Sequence, residues 1–165
     1  MVLTGPTPSQ TIGPFFGFAL PFEADSAAAV PGPGVLRIEG QVLDGAGAPV
    51  TDGLLELWQG EQFARCATDA EGVFHFTALK PVPVPGPDGT TQAPHFNLTV
   101  FARGLLRQLQ TRIYLPDEEA ANAADWVLVQ IGPERRQTLI ARCEDGVLRF
   151  DVHLQGEGET VFFAL

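Results

Sequence analysis

The sequence predicts an all-β fold: a β-sandwich of short mixed or antiparallel strands, with long loops and one short helix. Three observations predict it. The 165 residues include 18 glycines and 14 prolines, which cut the chain into apolar runs too short for long helices. Those runs alternate apolar and polar residues with the period of two that a half-buried strand requires. Segments rich in turn residues, such as GAGAPVTDG and EDG, separate them. With 45% apolar and 18% charged residues the composition is globular, and the length suits one domain with a real hydrophobic core.

Taken in order, residues 1–34 read as an extended N-terminal arm and linker, and residues 35–165 as a single β-sandwich domain. The opening is Pro-rich, and EADSAAAVPGPG reads as a flexible connection because its small residues bury little and its Pro and Gly interrupt a helix. VLRIEGQVLD alternates, with Leu36, Ile38 and Val42 on one side. GAGAPVTDG then turns the chain into LLELWQ, so these two strands are expected as antiparallel neighbours. In TDAEGVFHFTAL a turn at Gly72 leads to Phe74 and Phe76 on one face and Val73, His75 and Thr77 on the other.

PVPVPGPDGTTQAP, residues 81–94, is too rich in Pro and Gly for regular structure, and so long a loop in a compact domain is functional or disordered. HFNLTVFA and TRIYL are two further strands. DEEAANAADWVLVQI carries acids near its start and alanines through its middle, which predicts one or two helical turns. TLIARC, the turn EDG and VLRFDVHL form the clearest hairpin, with Leu148, Phe150, Val152 and Leu154 toward the core. GEGETVFFAL reads as a closing apolar strand.

Charge and motifs narrow the function. A formal net charge of −10 with a single lysine, Lys80, leaves no basic patch for nucleic acid or an anionic membrane. A small anionic ligand would need a locally placed arginine. Cys66 and Cys143 are far apart, with no CxxC spacing, and read as free thiols in a reducing compartment. No basic segment precedes an apolar one at the N-terminus, and no apolar run approaches the ~20 residues of a membrane span, so a cytoplasmic location is expected. GxSxG, P-loop, HExxH and strand-to-helix GxGxxG patterns are absent, and Ser9 and Ser26 are the only serines. His75, His95 and His153 fall on three different strands, none with a second ligand type at metal spacing. A lone strand histidine is more often a satisfied structural residue than a ligand.

The runs GQVLDGAGAPVTDGLLELWQ, TDAEGVFHFTALKP and PHFNLTVFARG, in this order, resemble the intradiol ring-cleaving dioxygenases. TPSQTIGPFF, FARG and the closing RFDVHLQGEGETVFFAL narrow the resemblance to the α-type chains of the two-chain members, which cleave protocatechuate. The resemblance runs from residue 7 to the C-terminus. It implies a catalytic chain that binds non-haem ferric iron through two tyrosinates and two histidines, hard phenolate oxygens favouring Fe(III). The family pattern KPGPYPW followed by PAHIH reads here KPVPVPG followed by APHFN. Val84 thus stands in place of a tyrosine, Gly86 of a tryptophan and Asn97 of the second histidine, leaving His95. The chain has one tyrosine, Tyr114, so it cannot supply two tyrosinates.

An α-type chain is therefore expected to carry no metal, to form a hetero-oligomer with a β subunit that binds Fe(III), and to help bind a small aromatic substrate. The resemblance implies a substrate-binding set of Thr11, Gly13, Pro14 and Arg103, with Arg103 also the catalytic candidate. Gly13-Pro14 makes a rigid, donor-poor corner where backbone can approach a flat ring, and Arg103 offers a cationic fork in an otherwise acidic protein. Read without the resemblance, the arm is a Pro-rich segment that packs on a partner and Arg103 an ordinary surface arginine. Phe15 and Phe16 then serve as apolar anchors. The chain is shorter than such α chains after LELWQ. A free-standing, non-catalytic β-sandwich binding module stays open as the alternative, because GxVxDxxGxPV followed by TDxxGxFxF also occurs in such modules.

Overall fold

The computed structural model describes Gly13 and residues 15–164. Among the described residues, eleven strands follow a short helix α1 (Phe16–Ala19): β1 (Val35–Leu43), β2 (Leu54–Gln59), β3 (Gln62–Ala67), β4 (Val73–Leu79), β5 (Val84–Pro85), β6 (Thr91–Gln92), β7 (His95–Phe101), β8 (Leu109–Tyr114), β9 (Arg142–Glu144), β10 (Val147–Arg149) and β11 (Val152–His153). Between β8 and β9 lie α2 (Glu119–Ala124), α3 (Pro133–Arg136) and two 3₁₀ turns. The architecture is the expected all-β one.

Two sheets face each other. In the first, β1 pairs antiparallel with β4 on one edge and parallel with β10 and then β11 on the other, and β9 closes the β10 side. In the second the order is β3-β2-β7-β8, antiparallel throughout. The alternation read from the sequence fills the space between them. Ile38, Val42, Phe74, Phe76, Leu148, Phe150 and Val152 of the first sheet meet Leu55, Leu57, Phe96, Leu98, Val100 and Ile113 of the second. A smaller cluster of Ala93, Tyr114, Leu128 and Leu139 lies apart from this core, bringing the outer end of the second sheet against the helical segment.

Several expectations are corrected. β1 and β2 are not neighbours but belong to opposite sheets. Both edges of β1 are taken by β4 and by β10 and β11, and the loop between β1 and β2 carries the chain across the sandwich. QFARCA, which shows no clear alternation, is β3, folded back on β2 through Gly60 at φ +58°. Within residues 81–94 a small hairpin, β5 with β6, does form, its turn passing through Asp88 and Gly89, both at positive φ. The closing segment is not a strand. It meets β8 through one bridge, Gln110 to Phe163, while the Thr111 hydroxyl donates to the Val161 carbonyl at 2.8 Å, so a side chain takes a place that a ladder would need.

The VLRFDVHL strand is split in two at Phe150-Asp151, opposite Gly40. A Cβ on Gly40 would sit 1.8 Å from the Phe150 carbonyl oxygen, so glycine is required for that approach. Residues 25–28, expected to be flexible, are held on the edge of β4: the Ala28 amide donates to the Thr77 carbonyl at 2.8 Å and the Thr77 amide to the Ser26 carbonyl at 2.9 Å. His75 meets the Ser26 hydroxyl at 3.1 Å, the structural role expected for it. Cys66 and Cys143 are free, and burial pushes the Cys66 thiol pKa up. Among the described residues no helix is long and apolar enough to cross a membrane.

Candidate functional site

The positions that the resemblance aligns with iron ligands gather at the start of β7, where register decides the geometry. His95 pairs across the ladder with Tyr114, and their ring centroids are 5.3 Å apart. The helical segment covers this end of the sheet, so His95 is 5% exposed and Tyr114 fully buried. His95 Nδ1 lies 2.8 Å from the Ala93 carbonyl, which can only accept, so Nδ1 carries the proton and Nε2 a lone pair. Burial lowers the His95 pKa, favouring the neutral ring, with the hydrogen bond to the Ala93 carbonyl acting in the other direction. This is a tautomer that a metal ligand would adopt.

Its neighbours do not complete such a site. The Tyr114 hydroxyl donates to Asp125 Oδ1 at 3.2 Å and accepts from Arg112 Nη1 at 3.0 Å, and burial pushes its pKa up to about 12. Its hydroxyl is taken by Arg112 and Asp125, and it is the chain's single tyrosine where the family site takes two. Asn97 is exposed on the same strand face, and Val84 is half-buried in β5. At Gly86, a Cβ would come within 2.4 Å of Thr90 Oγ1 and 3.2 Å of the Trp126 ring. The space beside the position expected to hold a tryptophan is thus filled by a tryptophan from elsewhere in the chain. Among the described residues no three His, Cys, Asp or Glu side chains are grouped to hold a metal ion. The donor set on this chain does not fit the ferric site that the resemblance implies.

What the sequence reading missed here is Asp125. Fully buried, it accepts from the Ala93 amide at 2.8 Å through Oδ2, and from Val127 and Leu128 amides at 2.9 and 3.0 Å through Oδ1, besides Tyr114. An aspartate just before a short helical turn is an N-cap signal that could have been found, but its reach to Ala93 and Tyr114 is a tertiary fact.

The second cluster lies at the other end of β7, roughly 25 Å away for eight residues of extended chain. Leu54 pairs with Phe101 at the end of the ladder, and two residues beyond it, in the flanking turns, lie Asp52 and Arg103. Arg103 Nε lies 3.0 Å from Asp52 Oδ2, with 73% of the arginine side chain exposed. Asp52 stands in a fixed turn. The Gly53 amide donates to Thr68 Oγ1 at 2.8 Å, and the Thr68 amide to the Gly53 carbonyl at 2.9 Å. A cleft of about 200 Å³ here is lined by Phe16 and Gly17 of α1 together with Asp52, Gly53 and Thr68. The arm's first helix and the Arg103 partner therefore meet at one cleft. Phe16 is buried there, while Phe15 is exposed. Gly13 adopts φ +76°, which favours glycine at this corner. Thr11 and Pro14 lie outside the described residues.

No protein-family model matches the chain. It is 41% identical to the protocatechuate 3,4-dioxygenase alpha chain of Pseudomonas putida, the match covering 95% of each chain. The chain belongs to the intradiol dioxygenase alpha-chain family. A protocatechuate 3,4-dioxygenase beta chain, from Burkholderia cepacia, is 28% identical over 74% of this chain and 65% of its own length, so this alpha-family chain and a beta chain are themselves similar. Among solved structures, the dioxygenase domain of a carbohydrate-binding fusion from Streptomyces sp. SirexAA-E superposes with a TM-score of 0.62 at 25% identity, covering 92% of this chain and 99% of that one. The two-sheet sandwich is thus the family's fold. Within it, this chain keeps His95 but surrounds it with a protonated tyrosine, an arginine and a capped aspartate.

Proposed function

We propose that this chain is the non-iron α subunit of a protocatechuate 3,4-dioxygenase, acting with a β subunit that holds Fe(III). The holoenzyme cleaves protocatechuate between its two hydroxylated carbons, and both atoms of O2 enter the product, 3-carboxy-cis,cis-muconate. The observation that carries this reading is the match to an alpha chain along 95% of both chains. The single tyrosine, engaged by Arg112 and Asp125, and the exposed Asn97 support placing the iron on the partner.

The iron supplies the oxygen chemistry on the β side, and this chain contributes the wall and charge of a shared pocket. The substrate-binding role of Thr11, Gly13 and Pro14 rests on the resemblance, and Gly13, at positive φ, has open space where a Cβ would point. Arg103 supplies a guanidinium for the substrate's carboxylate in a protein whose net charge of −10 otherwise repels it. Phe15, exposed on this chain, is covered by the partner.

Co-expression with a β-type chain, followed by co-purification, iron analysis and a visible spectrum, tests the proposal. The complex binds iron, shows the broad tyrosinate-to-iron absorption and consumes protocatechuate with O2; the isolated chain is colourless and inactive. An isolated chain that bound stoichiometric ferric iron and cleaved protocatechuate would refute it. In the complex, Arg103→Ala lowers kcat/KM without removing iron.

A further inference from the structure

We propose that Asp52 is a positioning residue for Arg103, fixing the guanidinium in the orientation that meets the anionic group of the substrate; this rests on the reading of Arg103 given above. The β2–β7 ladder ends at Leu54 and Phe101, and Asp52 and Arg103 lie two residues beyond it, each in the turn that flanks its strand. The Gly53 and Thr68 hydrogen bonds hold the Asp52 turn, and a Cβ on Gly53 would come within 3.1 Å of Thr68, so the turn has little freedom to shift. Asp52 engages the guanidinium through Nε at 3.0 Å. This is an ion pair without hydrogen-bond geometry, so its charge draws the Nε edge toward the Asp52 turn while the terminal nitrogens remain suited to a second, bidentate carboxylate. Among the described residues no other carboxylate lies within ion-pairing distance of Arg103.

Two effects of Asp52 oppose each other. Its negative charge repels an anionic ligand, which favours binding when it is removed. Its grip on Arg103 spares the ligand the entropy of ordering a long, 73% exposed side chain, which disfavours binding when it is removed. Salt screens both effects, but a contact pair at 3.0 Å less than the longer-range repulsion between Asp52 and a ligand beyond the guanidinium, so the positioning effect wins at physiological ionic strength. Because the pair is exposed, the expected change is modest, about two- to fivefold.

The test uses the co-purified complex and steady-state kinetics with protocatechuate for Asp52→Asn, Asp52→Glu, Arg103→Ala and the Arg103→Ala/Asp52→Asn double variant. Asp52→Asn raises KM with kcat, iron content and assembly unchanged, Asp52→Glu recovers most of the loss, and the double variant is no worse than Arg103→Ala alone. Should the asparagine variant fail to assemble, Asp52→Ser replaces it. An Asp52→Asn enzyme with unchanged or lowered KM, while Arg103→Ala raises it, overturns the role of Asp52 and leaves Arg103 in place. An additive loss in the double variant also overturns it, since Asp52 then acts otherwise than through Arg103. If Arg103→Ala itself leaves KM unchanged, the underlying reading of Arg103 fails instead.

Discussion

Replacing Asp125 by alanine removes the acceptor for four donors at once: the amides of Ala93, Val127 and Leu128 and the Tyr114 hydroxyl. A buried donor left without a partner costs about 1–3 kcal/mol, and water entering the vacated space recovers part of that, so the total is about 4 kcal/mol. For a chain of this size that corresponds to a fall in Tm of roughly 8–16 °C. Two further variants separate the parts. Asp125→Asn keeps Oδ1 for three donors but turns an NH2 toward the Ala93 amide, at a cost of about 2 kcal/mol, and Tyr114→Phe removes one donor for about 1 kcal/mol. Denaturant unfolding followed by tryptophan fluorescence measures all three, with Trp126 next to the changed residue as a local reporter. An alanine variant within about 1 kcal/mol of the parent would refute the claim that this carboxylate ties the helical segment to the second sheet.

Glu39 is held below its ordinary pKa near 4.5, first by its hydrogen bond from Arg37 and, against a desolvation effect, by the charge of Arg149, which it also pairs. A depressed carboxylate stabilises the fold above its unfolded pKa, and that stability is lost as pH falls through the folded value. Glu39→Gln therefore flattens the acid limb of a stability profile below pH 4.5. His95, with its pKa lowered from 6.5 by burial, contributes stability that is present above pH 6.5 and declines as pH falls through the depressed value; His95→Gln removes that part of the slope. Gly86→Ala forces its Cβ against Thr90 Oγ1, itself tied to the Pro87 carbonyl at 2.7 Å, and against Trp126. We expect a loss of about 1–3 kcal/mol with a changed Trp126 emission, read by the same unfolding assay.

The strands were legible wherever one face is buried, because the period of two then shows in the residues themselves. VLRIEGQVLD, VFHFTAL and HFNLTVF became β1, β4 and β7, with Ile38 and Val42 sharing one buried face and Phe74 and Phe76 another, as expected. QFARCA was missed because Arg65 and Gln62 mask the pattern: Arg65 is spent on Glu56 at 2.6 Å across the hairpin, and Gln62 on the Leu79 amide. The closing VFFAL misled in the other direction, since its apolar residues pack on the sandwich without a ladder. At the candidate site, the missing donors beside His95 could be counted in the sequence. The atoms that occupy their place could not, because Arg112, Asp125 and Trp126 come from segments with no local sign of one another.

By itself, then, the sequence determined the all-β class, the inward faces of the main strands, the family through its motifs, and a tyrosine count too small for two tyrosinate donors. These are local or countable properties, written in periodicity and residue type. Only the tertiary structure decided that β1 and β2 lie in opposite sheets, that Tyr114 is held protonated between Arg112 and Asp125, and that Asp52 faces Arg103. Each depends on which strand edges pair and in what register. A strand's sequence states which face it buries, but its partner is fixed only when every edge in the sandwich has been assigned.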